Sequence, residues 1–205
     1  MRGLIVDFGG VLTTDVFQAF REFGEKEGID PGTVKRLFKE DQEARTLLRE
    51  LERGEVEEDE FERRFGPMLG VSESEGLIKR LFAGVRPDER MQTAVETARG
   101  SGVRTGLISN SWGTGVTYER DRFDRLFDAV VISGDVGLNK PAPEIFRLGA
   151  ERVGLEPEDC VFVDDLRENC AGAEAVGMTA VLHRGAEGTL PRLEELLGIT
   201  LRAAS

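Results

Sequence analysis

The hydrophobic and polar positions follow two different periods along this chain. Residues 4–6 form a short, wholly aliphatic run, and similar runs recur after residue 102. Residues 15–82 instead carry apolar side chains three or four positions apart, with charged residues between them. Unbroken apolar runs of this length are typical of strands buried on both faces, and the wider spacing is typical of amphipathic helices. The pattern therefore predicts one strand, then a helical block, then further strands.

After residue 82, strand-like and helix-like segments alternate. We predict strands at residues 103–109, 130–133, 161–165 and 179–183, and helices at residues 87–99, 141–153, 170–176 and 190–197. Such alternation is typical of a doubly wound parallel sheet with helices on both faces. Together with the opening strand, it predicts an α/β fold with a parallel five-stranded sheet.

The helical block is an insertion between the first two strands. Helix-breaking residues divide it into four or five short helices, at Gly28, residues 30–32, Gly54, residues 66–67 and Gly70. We predict an α-helical cap at residues 15–82 and an α/β core made of residues 1–14 and 83–205. An insertion that begins close behind the first strand can close over the strand ends and exclude water.

The chain of 205 residues carries a formal net charge of −12. Its length suits one domain, or one domain with an insertion. The charge argues against binding to nucleic acid, which needs a basic face to neutralise phosphates. Residues 15–82 hold 18 acidic and 12 basic side chains, so this block is acidic as well. An anionic substrate must therefore be captured by a local positive site.

The composition argues against a membrane protein and against a protein stabilised by disulfides. No apolar run approaches the roughly 18 residues needed to span a bilayer, and the first residues lack the apolar segment of a secretory signal. The two cysteines, Cys160 and Cys170, and the single histidine, His183, make neither a disulfide framework nor a metal site. We expect buried thiols, a structural His183 and a location in the cytoplasm. With one histidine, Ser-His-Asp and Cys-His hydrolase schemes are disfavoured.

Polar side chains of catalytic potential follow four separate stretches. Asp7 comes directly after the first strand and precedes Gly9 and Gly10, whose lack of side chains lets the backbone approach a ligand closely. The remaining candidates are Ser109 and Asn110 after the second strand, Lys140 before a helix, and Asp164 and Asp165 after a later strand. Taken singly, each is an ordinary turn, cap or surface residue. Together they supply an acid, a hydroxyl, a cation and an acid pair.

In this order and context the four stretches resemble the four motifs of the haloacid dehalogenase (HAD) superfamily, most of whose members are phosphatases. The segment Asp164-Asp165-Leu166-Arg167-Glu168-Asn169, leading into residues 173–178, is similar to the branch that contains the N-terminal phosphatase domain of soluble epoxide hydrolases. The likeness spans most of the chain. It implies a HAD-like Rossmannoid core with a helical cap between the first and second motifs.

The resemblance implies a phosphatase that acts on a small phosphorylated metabolite, as a monomer or homodimer. Asp7 would be the nucleophile and would form an aspartyl-phosphate, a known covalent route for carboxylates. Ser109 and the amide at Asn110 would bind the phosphate, and Lys140 would offset the charge of Asp7 and of the transferring group. Trp112, the only tryptophan, is either a wall near the leaving group or an ordinary packing residue.

The resemblance also implies a Mg²⁺ cofactor, which prefers oxygen ligands. Asp7, the backbone carbonyl of Gly9 and Asp165 would hold the ion, and Asp164 would stand beside it. Asn169 would orient the acid pair.

Gly9 departs from the family pattern. HAD phosphatases usually carry a second Asp two positions after the nucleophile, which protonates the leaving oxygen and then activates water. Losing general acid-base help typically costs about 10²- to 10⁴-fold in rate. Three outcomes stay open. The substrate can have a leaving group that needs little protonation, such as an anomeric sugar, acyl or aryl phosphate, or another acid, such as Asp15 or a cap carboxylate, can replace the missing one. The third outcome is a catalytically weak binding or regulatory protein. The branch includes members with glycine at this place, which favours the first two.

A metal-independent haloacid dehalogenase is an alternative enzyme class, because those enzymes also lack the second Asp. They need an arginine in or near the cap, for which Arg45 and Arg49 are candidates. The pair Asp164 and Asp165 favours a metal and therefore a phosphatase. Sensitivity to EDTA distinguishes the two classes.

Overall fold

A parallel five-stranded sheet lies at the centre of the molecule. The computed structural model describes residues 2–112 and 122–201. The strands are β1 (Gly3–Val6), β2 (Arg104–Ser109), β3 (Ala129–Ile132), β4 (Cys160–Asp164) and β5 (Thr179–Leu182). They lie in the order β3-β2-β1-β4-β5, and all neighbours are parallel. The predicted α/β fold with a doubly wound sheet is confirmed.

Residues 15–82 fold into five helices with a hydrophobic core of their own, and we call this part the helical unit. Its helices are α1 (Val16–Glu27), α2 (Thr33–Glu40), α3 (Gln42–Glu52), α4 (Glu58–Leu69) and α5 (Leu77–Leu81). Phe20, Leu47, Phe61 and Phe65 are among the buried residues that form this core. Their spacing along amphipathic helices is the signal from which the block was predicted.

Two helix boundaries in the helical unit differ from the prediction. Asp41 separates α2 from α3, and its carboxylate accepts a hydrogen bond from the N–H of Ala44 at 2.9 Å, which caps α3. The break predicted at residues 66–67 is wrong, because α4 continues through Pro67 and ends at Leu69, with Gly70 as its C-cap. Glycine is needed at position 66 for close packing, since a Cβ atom there would lie 2.1 Å from Ser74 Oγ.

The remaining helices cover the two faces of the sheet. The α-helices among them are α6 (Glu89–Gly100), α7 (Phe123–Leu126), α8 (Ser133–Val136), α9 (Pro143–Val153), α10 (Arg167–Glu174) and α11 (Ala186–Leu197), and a short 3₁₀ helix spans Pro157–Asp159. Leu4 and Val6 pack with residues of α6 and α11 on one face, whereas Ile5 packs with residues of α9 and α10 on the other. This alternation follows from the two-residue period of a strand. The four-residue helices α7 and α8 were not predicted, because so short a segment shows no helical period.

The register of the sheet brings polar residues together at one edge. Val6 of β1 lies opposite Leu107 of β2 and Val163 of β4. Asp7 therefore follows the central strand at the level where its two neighbours also end, at Ser109 and Asp164. This is the edge at which open α/β sheets bind their ligands.

The cysteines and the histidine occupy structural positions. Cys160 and Cys170 are buried and free, as predicted, and burial raises the pKa of each thiol to about 11. His183 is buried as well, with Nδ1 2.9 Å from Thr189 Oγ1, and burial lowers its pKa. No helix in residues 2–112 and 122–201 is long and apolar enough to cross a membrane.

Candidate active site

Lys140 connects the strand ends. Its Nζ lies 2.6 Å from Asp7 Oδ1 and 2.7 Å from Asp164 Oδ2, and it donates a hydrogen bond to the carbonyl of Ile108 at 3.0 Å. Burial by itself lowers the pKa of Lys140, but the charges of Asp164 and Asp7 outweigh it and hold this pKa above its ordinary value. Lys140 is therefore a permanent, positioned cation between the first and last predicted motifs.

Asp164 is fixed by several donors besides Lys140. The N–H of Leu166 donates to Oδ1 at 2.8 Å, and Nδ2 of Asn169 donates to Oδ1 and Oδ2 at 3.0 and 3.1 Å. Asp164 is fully buried, so these bonds replace the water that its carboxylate loses. The predicted contact of Asn169 with the acid pair is thus present on Asp164.

Three carboxylates gather beside this lysine. Oxygen atoms of Asp7, Asp164 and Asp165 all lie within 4.8 Å of one another. Three carboxylates and Lys140 leave two negative charges uncompensated when all four groups are ionised. Burial raises the pKa of Asp7 to about 7 and that of Asp165 to about 6. The donor set of hard oxygens, with a deficit of two positive charges, fits a divalent cation.

The loop after β1 is shaped by Gly10. Its φ angle of +76° is in the left-handed region, and a Cβ atom there would lie 2.7 Å from Asp165 Oδ2. A side chain would therefore both strain the backbone and displace Asp165. Gly9 is different, because its φ is not left-handed and, among the described residues, a Cβ atom would meet only the side chain of Val16, at 3.2 Å.

The second predicted motif lies next to Lys140. Ser109 is buried and lines the cavity described below. The side chain of Asn110 clamps the backbone of Lys140: its Oδ1 accepts from the Lys140 N–H at 2.9 Å, and its Nδ2 donates to the Lys140 carbonyl at 3.2 Å. All the site residues predicted from the sequence are thus brought to one edge of the sheet.

A cavity of about 630 Å³ opens between this edge and the helical unit. One part of its lining is polar and includes Asp7, Ser109 and Lys140. Another part is apolar and includes Phe17, Phe20, Phe38, Leu48, Phe82 and Trp112. Trp112 packs against Phe20, Phe38, Phe61 and Phe82 with ring centroids 5.2–5.9 Å apart. It is therefore both a packing residue and part of the cavity wall.

The helical unit contributes four basic side chains to the lining: Lys35, Lys39, Arg45 and Arg49. Six of the eight arginines of the helical unit lie within 4.0 Å of a carboxylate oxygen. Within the part of the chain that the structure describes, Arg45 and Arg49 are the two that do not. Positive charge is thus concentrated at the cavity, in a unit that is acidic as a whole.

Sequence reasoning missed Asn139 and Glu52. Asn139 is buried next to Lys140, and its Nδ2 donates to Glu52 Oε2 at 3.1 Å. Glu52 is one of many acidic residues in the helical unit, so composition gave no signal. Asn139 could have been noticed, since it directly precedes Lys140.

The chain belongs to the haloacid dehalogenase-like hydrolases, because the model of that family matches residues 1–177. The resemblance found in the four motifs is confirmed.

Two curated relatives illustrate its place in the family. The chain is 28% identical over 157 residues to the sesquiterpene phosphatase astK of Aspergillus oryzae, covering 73% of this chain and 78% of that protein. It is 24% identical over 222 residues to bifunctional epoxide hydrolase 2 of Sus scrofa, covering 98% of this chain and 40% of that protein. The chain thus spans less than half of the pig protein.

A solved structure has the same fold. A HAD family enzyme of Bacteroides thetaiotaomicron, BT-2542, in complex with magnesium and inorganic phosphate, superposes with a TM-score of 0.67 at 19% identity. The match covers 91% of this chain and 96% of that one.

Proposed function

We propose that this protein is a Mg²⁺-dependent phosphatase that hydrolyses a small phosphate monoester through an aspartyl-phosphate on Asp7. The observation that carries the proposal is the contact of one buried lysine with Asp7 and Asp164, beside the third carboxylate, Asp165. The phosphatase relatives and the magnesium and phosphate complex of BT-2542 support it.

The residues divide the work of phosphoryl transfer. A carboxylate oxygen of Asp7 attacks phosphorus, and Lys140 stabilises the negative charge of both groups. Ser109 and the backbone amide of Asn110 hold the phosphate in line with Asp7. Asp7, Asp165 and the Gly9 carbonyl would hold Mg²⁺, with Asp164 beside it. When bound, the ion supplies the positive charge that lets two anions approach each other.

The helical unit acts as the cap over this site, with its boundaries at residues 15 and 82. Its aromatic wall favours a substrate with an apolar body, because burying such a body removes apolar surface from water. Arg45 and Arg49, which lack carboxylate partners among the described residues, favour a second anionic group on that body.

The missing acid at Gly9 restricts the chemistry further. No side chain is present there to protonate the leaving oxygen. The protein therefore either prefers leaving groups that need little protonation or uses an acid from another segment.

A dehalogenase is the second candidate, and the observation that favours it is that Arg45 and Arg49 line the cavity with no carboxylate partner among the described residues. Dehalogenation needs no metal, so the cluster of three carboxylates argues against it.

The decisive experiment compares p-nitrophenyl phosphate and 2-chloropropionate with Mg²⁺ and with EDTA. We expect release of nitrophenol that needs Mg²⁺ and falls at least about 10³-fold in Asp7→Asn. Asp59→Asn is the matched control, since Asp59 is exposed in the first turn of α4 and does not line the cavity. Chloride release that survives EDTA would instead establish a dehalogenase, and no turnover of a phosphate panel would establish a binding protein.

A further inference from the structure

Glu52 is the one carboxylate that the helical unit contributes to the cavity lining within the described residues. The other lining carboxylates are Asp7, Asp165 and Glu168, all from the core. Glu52 is the last residue of α3, where the helical unit meets the core at α8. It is therefore placed to enter the site from the side opposite the sheet.

The position of Glu52 is fixed from both its backbone and its side chain. Ser133 Oγ donates a hydrogen bond to the Glu52 carbonyl, and Asn139 Nδ2 donates to Glu52 Oε2 at 3.1 Å. Asn139 is itself held by Arg53, whose Nε donates to Asn139 Oδ1 at 3.1 Å. Because Asn139 immediately precedes Lys140, this network connects Glu52 to the catalytic lysine.

The surroundings of Glu52 suit a group that exchanges a proton near neutral pH. Burial raises the pKa of Glu52 to about 7, although Asn139, Lys140 and Asn110 favour the ionised form. A general acid works best when its pKa is close to the working pH. Of the charged groups around it, Lys140 and Glu168 act on its charge, Arg53 binds its partner Asn139, and Lys39 and Arg49 line the same cavity.

Other carboxylates are less suited to this role. Asp15 is exposed, does not line the cavity, and is already used as the cap of α1, accepting from the N–H of Phe17 at 2.8 Å. Glu168 lines the cavity but is exposed, so water competes for its proton. Asp165 belongs to the group that would hold the metal.

We infer that Glu52 is the general acid and base that replaces the carboxylate missing at Gly9. This inference rests on the proposed phosphatase function. When Asp7 attacks phosphorus, the bond between phosphorus and the ester oxygen breaks, and that oxygen takes the proton of Glu52 to leave as an alcohol. Glu52, now a carboxylate, then accepts a proton from the water that attacks the aspartyl-phosphate. Phosphate leaves, and Asp7 and protonated Glu52 are restored.

The test is Glu52→Gln assayed with two substrates that differ in their need for an acid. Glycerol 2-phosphate has a poor leaving group, and p-nitrophenyl phosphate has a good one. We expect the variant to lose about 10²-fold in kcat on the alkyl ester but to keep the aryl rate within a small factor. In the wild type, the alkyl rate should fall as the pH rises through about 7, because Glu52 loses its proton, and this fall should be absent from the variant.

Glu50→Gln is the matched control, because Glu50 lies on the same helix but pairs with Arg64. The rates of Glu50→Gln on both esters, and their dependence on pH, should equal those of the wild type. Equal losses on both esters in Glu52→Gln would mean that Glu52 only positions Asn139 and Lys140, and would overturn the inference. The aryl ester tests the proposed function separately, since its hydrolysis by the wild type depends on Asp7 and Mg²⁺ whether or not Glu52 donates a proton.

A second readout needs no turnover. In the metal-free protein labelled with ¹³C at glutamate carboxyl groups, one signal that is absent from Glu52→Gln should titrate near neutral pH. A Glu52 signal that titrates near pH 4.5, the ordinary glutamate value, would overturn the inference.

Discussion

The sheet edge and the helical unit face each other across one cavity but hold their charges differently. Lys140 on the sheet edge is buried, and its ammonium contacts two carboxylates within 2.7 Å. Lys39 and Arg49 on the helical unit are exposed and have no carboxylate within 4.0 Å among the described residues. A buried, hydrogen-bonded pair keeps one geometry, because separating the partners leaves a charge without water. The sheet edge therefore suits a fixed chemical step, and the helical unit suits recognition of a substrate.

This difference predicts that substitutions on the sheet edge and substitutions on the helical unit alter activity in different ways. A change on the sheet edge should affect every substrate. A change on the helical unit should affect some substrates and spare others. Glu52 tests the division, because it belongs to the helical unit by sequence but is bound to the sheet edge by Asn139.

The largest effect is expected for Lys140→Met. Removing one positioned cation should lower kcat on every phosphate ester by at least about 10²- to 10³-fold. Leaving Asp7 and Asp164 without their partner should also lower the free energy of unfolding by about 3–5 kcal/mol, measured by urea denaturation. Lys79→Met, on the exposed surface of α5, is the control. A variant with wild-type stability would contradict the assigned role of the buried pair.

Gly9→Asp in the Glu52→Gln background should restore alkyl phosphate hydrolysis by about tenfold or more, because it returns an acid to the sheet edge. A Cβ atom at Gly9 would be 3.2 Å from Val16, so Val16→Ala should be added to make room. Aryl phosphate hydrolysis should barely change. Initial rates on both esters check this, and a uniform decrease would count against a missing acid at Gly9.

Arg49→Gln should raise KM about tenfold for an aryl phosphate that carries a second anionic group, with kcat unchanged. A charge-assisted hydrogen bond of roughly 1.5 kcal/mol corresponds to that factor. KM for the singly charged aryl phosphate should stay the same. Arg63→Gln is the matched control, since Arg63 pairs with Glu60 within the exposed surface of α4. Equal changes in KM for both substrates would show that Arg49 attracts any anionic substrate and does not form a subsite for the second anionic group.

The smallest effect concerns stability and pH in the metal-free protein. The pKa of Glu52 is raised on folding, so between about 4.5 and about 7 the folded state holds a proton that the unfolded state has lost. The contribution of Glu52 to stability is therefore present at low pH and is lost as the pH rises through that window. Relative to Glu52→Gln, the wild type should lose on the order of 1 kcal/mol between pH 5 and pH 8 in urea titrations. A constant difference would contradict the raised pKa.

The site residues that lie at the ends of strands could be predicted from the sequence. Asp7, Ser109 and Asp164 each end or follow a short apolar run, and the parallel order of such runs places their carboxyl ends together. Glu52 could not be identified this way, because nothing in a helical period tells which of several acidic residues faces the cavity. The helix break at residues 66–67 was misplaced for a similar reason: the local tendency of Gly66 and Pro67 to end a helix is overridden by packing against Ser74.

By itself, the sequence determined the parallel α/β sheet, the helical insertion and the group of acids and lysine at the sheet edge, because these depend on period and chain order. Only the tertiary structure decided which side chains of the helical unit line the cavity, which of its arginines have no carboxylate partner among the described residues, and that Glu52 lies half-buried beside Asn139. Those properties depend on how one surface packs against another, and a burial-induced pKa change exists only after that packing has removed water.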